Sequence, residues 1–219
     1  MKPYQLTMSA PAHPRASDFL RISQAAASAH LDALGLTGTA ENKGLVWVII
    51  RIRCEIYAPL PETFTVETWP GISRRGFLPR YCRILDGDTT VASMVTLWVL
   101  ADAESRTLSL GADLGVPELE TGNELPFPRA LPKKNAEKAA EFSVDSRWID
   151  GNGHMNNCCY LDAAEDALGI TGLPKAFSVD YRHELLPGGH AAVSCVKEEE
   201  NLHISGFGEK EFFRLLLEY

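Results

Sequence analysis

The strongest constraint on the fold of this chain is a pattern that occurs twice along its 219 residues. In each half, a short strand-like segment precedes a segment with helical periodicity, and four further strand-like segments follow. The first helix is predicted over residues 17–34, with Ser17 as its N-cap and Gly35 as its stop. A helix followed by a mainly antiparallel sheet indicates an α+β fold, in which each sheet wraps around one helix.

The strand predictions rest on alternation of apolar and polar side chains. Residues 45–57 show it best, because one face of that strand would carry Val46, Val48, Ile50, Ile52, Cys54 and Ile56. Pro79 predicts an edge or bulged strand over 76–86. The other strands are predicted over 4–9, 62–70, 90–102, 142–149, 176–186, 190–199, 201–208 and 210–219, and the second helix over 158–169.

A proline-rich stretch separates the two halves. Residues 111–141 hold four prolines and the charged sequence KKNAEK, a composition typical of a linker. The sequence therefore predicts an N-terminal domain over 1–112, a linker over 113–140 and a C-terminal domain over 141–219.

Composition excludes several classes of function. The net charge of −8 and the pI near 5.3 argue against nucleic acid as the main partner. Five cysteines without a CxxC pair favour reduced thiols over a disulfide framework or a zinc site. No apolar run approaches the roughly 18 residues of a membrane span, so we expect a soluble, cytoplasmic protein.

The sequence DGNGHMNN, residues 150–157, concentrates polar chemistry just before the second helix. A calcium loop does not fit, because His154, Met155 and Leu161 stand where oxygen ligands and a glycine are required. A serine hydrolase is disfavoured by the lack of GxSxG, and Cys158 and Cys159 are interpreted as buried packing residues. Backbone N–H groups at a helix start could stabilise an oxyanion. The residues alone leave catalysis and a helix-capping loop equally open.

This stretch resembles the acyl-acyl-carrier-protein (acyl-ACP) thioesterase family of plant plastids and bacteria, whose members carry D-x-N-x-H-V-N-N and later Y-R-x-E. The first motif is matched by Asp150, Asn152, His154, Asn156 and Asn157, and the second by Tyr181, Arg182 and Glu184. The first half resembles the family at residues 68–71 (TWPG), 74–75 and 93–100, and at Ser105-Arg106. The resemblance covers nearly the whole chain.

The resemblance implies two tandem hotdog domains, each an antiparallel sheet wrapped around one long helix. It implies hydrolysis of fatty acyl-ACP to free fatty acid and holo-ACP in fatty acid biosynthesis, with no cofactor and no metal. The catalytic residues would be Asp150, Asn152, His154 and Glu184. Glu184 would activate water, or Asp150 would attack the carbonyl directly, and the sequence does not separate these routes. From the residues alone, Glu184 could instead form a surface ion pair with Arg182, and His183 is interpreted as buried and hydrogen-bonded.

Departures from the family pattern affect specificity more than reaction class. Ala163 stands where members often have tryptophan, and Leu185 stands where plant members have cysteine, so no thiol role carries over. The sequence begins without a transit peptide, which suggests a bacterial type. Acyl-chain length and branching preference are not readable.

Acyl carrier protein is acidic, so a basic patch is expected to receive it. The candidates are Arg74, Arg75, Arg80 and Arg83, with Lys133 and Lys134 as weaker ones. The first domain, with an alanine-rich helix face, is expected to hold the acyl tail. Pairing into a homodimer is left open. The alternatives are an acyl-CoA thioesterase of the same fold, a non-catalytic acyl-binding protein and a hotdog dehydratase.

Overall fold

The computed structural model describes residues 2–110, 114–122 and 124–219. Within these ranges the chain has an α+β fold, with two α-helices and with strands that pair antiparallel. It divides into two compact units, Met1–Ala12 with Arg21–Pro128, and His13–Leu20 with Arg129–Tyr219. The predicted domain boundary at 112/113 lies outside the described residues. None of the described helices has the length and apolar character needed to span a membrane.

The first unit is built on five strands in the spatial order β1-β3-β4-β5-β2. Because β4 pairs with both β3 and β5, the prediction of an edge strand at Pro79 was wrong. The β4–β5 ladder does carry an irregularity, but at Ile84 and Leu85 rather than at Pro79. The strands are β1 (Tyr4–Ser9), β2 (Leu45–Ile56), β3 (Thr63–Pro70), β4 (Leu78–Asp86) and β5 (Thr89–Asp102).

A bulge in β2 changes which of its side chains are buried. The register with β5 shifts between Ile49 and Arg51. Before the shift the odd-numbered residues Leu45 and Ile49 are buried, and after it the even-numbered Ile52, Cys54 and Ile56. One extra residue in a strand reverses the alternation, because successive side chains point to opposite faces. The prediction of one continuous apolar face was therefore correct only for the second half of the strand.

Helix α1 runs over Ala16–Ala33, one residue earlier than predicted at each end. Ser17 is not the N-cap: it is fully buried, and its hydroxyl donates to Asp162 Oδ1 at 2.6 Å. Asp18 Oδ2 instead accepts the Arg15 N–H at 2.8 Å. The predicted stop at Gly35 is confirmed, since this glycine has φ of 69° in the left-handed region that ends many helices.

A buried basic side chain lies in the first unit. Arg80 on β4 is only 7% exposed, and its Nη1 lies 3.3 Å from both His30 Nδ1 and Thr68 Oγ1. Burial lowers the pKa of Arg80 to about 10, so it stays charged at neutral pH. A guanidinium has no acceptor, so His30 Nδ1 accepts the hydrogen bond. Burial is the main cause that lowers the pKa of His30, and the positive charge of Arg80 lowers it further. His30 also stacks on Tyr4, with ring centroids 5.0 Å apart.

The second unit contains the other helix, α2 (Cys159–Leu168), and five strands in the order β7-β10-β9-β8-β6. The predicted strand over 142–149 is wrong beyond Ser143: Ser146–Trp148 form a 3-10 helix, where Asp145 Oδ1 accepts the Arg147 N–H. The strand predicted over 176–186 ends at Tyr181. The five strands are β6 (Ala140–Ser143), β7 (Ala176–Tyr181), β8 (His190–Glu198), β9 (Asn201–Phe207) and β10 (Glu211–Glu218).

A glycine on β9 makes room for the ring of Phe213 on β10. Gly206 is the cross-strand partner of Phe213, which is fully buried. A Cβ added at Gly206 would lie 2.0 Å from Phe213 Cε1. The pair lets an aromatic ring cover backbone that carries no side chain.

We expect Gly206→Ala to lower the free energy of unfolding by about 1–3 kcal/mol, because the added methyl group displaces the Phe213 ring. Urea unfolding monitored by circular dichroism measures the change. The double variant Gly206→Ala/Phe213→Leu should lose less than the sum of its single variants. Wild-type stability of Gly206→Ala would contradict this packing.

His30 gives a second prediction, on pH dependence. Because the folded chain disfavours protonated His30, its contribution to stability is complete above the ordinary histidine pKa of about 6.5 and is lost as pH falls below it. His30→Gln should therefore flatten the decline of unfolding free energy between about pH 6.5 and 5. The control His13→Gln, at an exposed position, should keep the wild-type slope. Equal slopes in both variants would contradict the assignment.

Candidate active site

The polar residues of 150–157 are held in a closed turn of the second unit. Ile149 and Met155 pair across it, and the Asp150 N–H donates to the His154 carbonyl at 3.0 Å. The Gly153 N–H donates to the Asp150 carbonyl at 3.0 Å, and Gly153 has φ of 79°, which explains why glycine stands there. The turn therefore fixes the backbone on both sides of the Asp150 and His154 side chains.

The His154 ring lies between two carboxylates. Its Nδ1 is 3.8 Å from Asp150 Oδ1, and its Nε2 is 3.8 Å from Glu184 Oε1. Nδ1 also lies 3.4 Å from the Met155 carbonyl. Two acceptors face Nδ1, so neutral His154 is assigned the tautomer with its proton on Nδ1 and a lone pair on Nε2. Groups 3.8 Å apart are too distant for a direct hydrogen bond but can share one water molecule.

Glu184 lies beyond the end of β7, and its side chain is 41% exposed. It faces His154, whereas Arg182 forms its ion pair with the buried Asp180 at 2.8 Å. His183 is exposed, so the prediction of a buried histidine was wrong. Its predicted hydrogen bond is present, because His183 Nδ1 lies 2.6 Å from the Glu211 carbonyl.

The asparagines of the motif have separate positions. Asn152 is exposed, and its backbone N–H donates to Asp150 Oδ1 at 2.8 Å. Asn156 caps α2: its side-chain oxygen accepts the Cys158 N–H and its carbonyl accepts the Cys159 N–H, each at 2.9 Å. An oxyanion at this helix start would compete with Asn156 for those two donors. The stretch 150–157 therefore contains both a helix-capping residue, Asn156, and a cluster of polar side chains.

Sequence reasoning missed Tyr160, in the first turn of α2. Its hydroxyl oxygen accepts the Leu185 N–H at 3.0 Å. Burial raises the pKa of Tyr160 to about 12, and the negative charges of Glu184 and Asp150 act in the same direction. The phenol therefore stays protonated at working pH. The family resemblance matches Tyr160 to a tyrosine of the family, but nothing in the sequence indicates this hydrogen bond.

The four arginines of the predicted docking patch differ in environment. Arg74 and Arg75 are exposed on a turn, and Arg74 Cζ lies 5.3 Å from the centre of the Phe127 ring. Arg83 Nη2 pairs with Glu67 at 2.7 Å, and its Cζ lies 5.0 Å from the Trp69 ring. Arg80 is buried, so a protein at the surface would not reach its guanidinium. The structure thus leaves two of the four side chains exposed.

In the described part of the chain, no three side chains of His, Cys, Asp or Glu group as a metal site would require. None of the five cysteines forms a disulfide: Cys158 is buried, as expected of a packing residue, and Cys159 is half-buried.

Comparison with known families gives two matches that together cover most of the sequence. Residues 10–113 match the acyl-ACP thioesterase N-terminal domain, and residues 131–207 match the acyl-ACP thioesterase C-terminal domain. No curated protein matches the sequence.

Solved structures show the same fold at low identity. An acyl-ACP thioesterase from Bacteroides thetaiotaomicron is 18% identical with a TM-score of 0.85, covering 98% of this chain and 96% of that one. The 12:0-ACP thioesterase from Umbellularia californica is 18% identical with a TM-score of 0.84 and the same coverage. A MaoC-like dehydratase from Phytophthora capsici is 13% identical with a TM-score of 0.55, covering 79% of this chain and 72% of that one.

These likenesses identify a hotdog-like acyl-ACP thioesterase fold. The family matches run in the order expected for both halves and span the turn at 150–157 as well as Glu184. The chain therefore belongs to the acyl-ACP thioesterase family, the thioester hydrolases that release fatty acids from acyl carrier protein.

Proposed function

We propose that this chain hydrolyses fatty acyl-ACP to free fatty acid and holo-ACP in fatty acid biosynthesis, at a site formed by Asp150, Asn152, His154 and Glu184. The observation that carries the proposal is the His154 ring, whose two nitrogens each lie 3.8 Å from a different carboxylate. A helix-capping loop does not require that arrangement, because the Asn156 side chain already accepts the Cys158 N–H at the start of α2.

In the proposed mechanism, a water molecule held between Glu184 Oε1 and His154 Nε2 attacks the thioester carbonyl. Glu184 accepts the proton of the water as the new C–O bond forms. The tetrahedral oxyanion then collapses, the C–S bond breaks, and the departing thiolate takes the proton. Asp150 Oδ1 accepts the Asn152 N–H and faces the Nδ1–H of His154 at 3.8 Å, so it orients the ring through a shared water and keeps Nε2 directed at the attacking water.

An alternative route uses Asp150 as the nucleophile. Its carboxylate would attack the carbonyl and expel the thiolate, and Glu184 would activate a water that opens the resulting anhydride. One turnover in ¹⁸O-labelled water separates the routes. Direct attack by water leaves the label in the fatty acid, whereas opening at the Asp150 carbonyl leaves it in the enzyme.

The domain organisation is part of the same proposal. We propose two tandem hotdog domains, over 1–112 and 141–219, joined by a linker over 113–140. The first would supply the acyl-chain pocket, and the second the catalytic residues. Support for the pocket comes from the small side chains Ala26 and Ala27, which are buried on α1.

We propose that Arg74 and Arg75 receive the acidic carrier protein. Both are exposed, and they are adjacent on one turn in a chain of net charge −8. Arg83 has its charge matched by Glu67, so its contribution would be smaller. A cytoplasmic location fits five cysteines that form no disulfide. A bacterial origin and a homodimer remain hypotheses, which genome context and sedimentation would test.

The site assignment predicts large losses of activity. Asp150→Asn, His154→Ala and Glu184→Ala should each lower kcat/KM for fatty acyl-ACP by at least about 100-fold, because each removes part of the base assembly. Release of free thiol measures the rate. The control His183→Ala changes an exposed residue next to Glu184 and should stay within about threefold of wild type. Full activity in all three variants would show that these residues do not form the active site.

The docking proposal predicts a donor-dependent effect. Arg74→Glu/Arg75→Glu should raise KM for acyl-ACP about tenfold, and high salt should raise the wild-type KM in the same direction. KM for an acyl-CoA with the same acyl chain should change by less than about threefold. Lys210→Glu, at an exposed hairpin position, is the charge control. Equal wild-type kcat/KM for both donors would instead favour an acyl-CoA thioesterase.

A further inference from the structure

Strand β7 does not fix the position of Glu184. The strand ends at Tyr181, and the residues from Arg182 to Gly189 form no regular element. A general base must nevertheless hold its carboxylate within hydrogen-bonding reach of a water. Because the Glu184 side chain is 41% exposed, packing around it does not fix its position.

The backbone of the next residue is held from two sides. The Leu185 carbonyl accepts the Met155 N–H at 2.8 Å, and the Leu185 N–H donates to the Tyr160 hydroxyl oxygen at 3.0 Å. The Leu185 side chain is 1% exposed. The N–H that Tyr160 binds belongs to the peptide that joins Glu184 to Leu185, so this bond acts directly on the backbone of Glu184.

Tyr160 is itself fixed in place. It is 2% exposed, and its ring meets those of Tyr181 and Phe213 edge to face, with centroids 5.3 and 5.4 Å away. Its hydroxyl oxygen accepts the Leu185 N–H, so its own proton remains available. The neighbouring charges of Glu184 and Asp150 both act on this hydroxyl.

We propose that Tyr160 is a positioning residue for Glu184: its hydroxyl accepts the Leu185 N–H and so holds the backbone of the base beside His154. The inference rests on the proposed function, because it assumes that Glu184 is the base. It gives Tyr160 no contact with the substrate. Its effect on the reaction passes entirely through Glu184.

The test uses Tyr160→Phe, which removes one hydroxyl and keeps the ring. We expect kcat for fatty acyl-ACP to fall about 10- to 100-fold with KM within about twofold, because misplacing a catalytic group affects the chemical step.

Tyr181→Phe is the matched control. Tyr181 is also in ring contact with Tyr160, but its hydroxyl donates to the Asn157 carbonyl at 2.6 Å. It should lose comparable thermal stability and keep a kcat within about twofold of wild type. If both variants have the same kcat, the Tyr160 hydroxyl does not position Glu184.

A double-mutant cycle separates this inference from the proposed function. In the Glu184→Ala background, Tyr160→Phe should lower the residual rate by less than about twofold, because there is no base left to position. An equal loss in both backgrounds would overturn the inference. Wild-type activity of Glu184→Ala alone would instead overturn the assignment of the base.

Hydrogen exchange supplies a readout that is independent of turnover. The Leu185 amide should exchange at least about tenfold faster in Tyr160→Phe than in wild type, and at the wild-type rate in Tyr181→Phe. Unchanged exchange in Tyr160→Phe would show that the bond does not restrain this segment. Circular dichroism of each variant establishes that it is folded.

Discussion

The hydrogen bond from the Met155 N–H to the Leu185 carbonyl joins the two segments that carry the candidate active site. One segment is the turn that holds Asp150 and His154, and the other is the irregular stretch that holds Glu184. They are about thirty residues apart, and neither lies in a strand. Their geometry is therefore set by backbone bonds between loops, and the Asn156 N–H, which donates to the Trp148 carbonyl at 2.7 Å, closes the same turn from its far side.

The sequence predicts the order and type of most elements because apolar periodicity is a local property. It fails where a partner strand or another helix decides the outcome. The bulge in β2 arises in pairing with β5, so the alternation over 45–57 does not reveal it. Serine is common at helix N-caps, but Ser17 lies within α1, where its hydroxyl donates to Asp162 of α2. Residues 142–149 alternate like a strand, yet Asp145 stabilises a 3-10 turn after Ser143.

The candidate site residues can be predicted from the sequence only where they lie in a contiguous motif. Asp150, Asn152 and His154 follow from one stretch, and Glu184 needed the second family motif. The hydrogen bond of Tyr160 has no signal in the sequence, because its partner is a backbone N–H 25 residues away. The burial of Arg80 could have been predicted, because Arg80 lies on the same face of β4 as the buried Cys82 and Ile84. Grouping four arginines by nearness in sequence ignored that two-residue period.

The bulge in β2 also constrains how this family member can change in length. Deleting one residue at the bulge would bring the two halves of the strand into a single phase. Leu45, Ile49, Ile52, Cys54 and Ile56 would then lie on one face. Deleting a residue at any other position of β2 would instead turn outward the buried apolar side chains on one side of the deletion. Loop insertions elsewhere leave side-chain orientation untouched. Length variation among relatives should therefore concentrate in loops and at the bulge, and leave the rest of this strand at constant length.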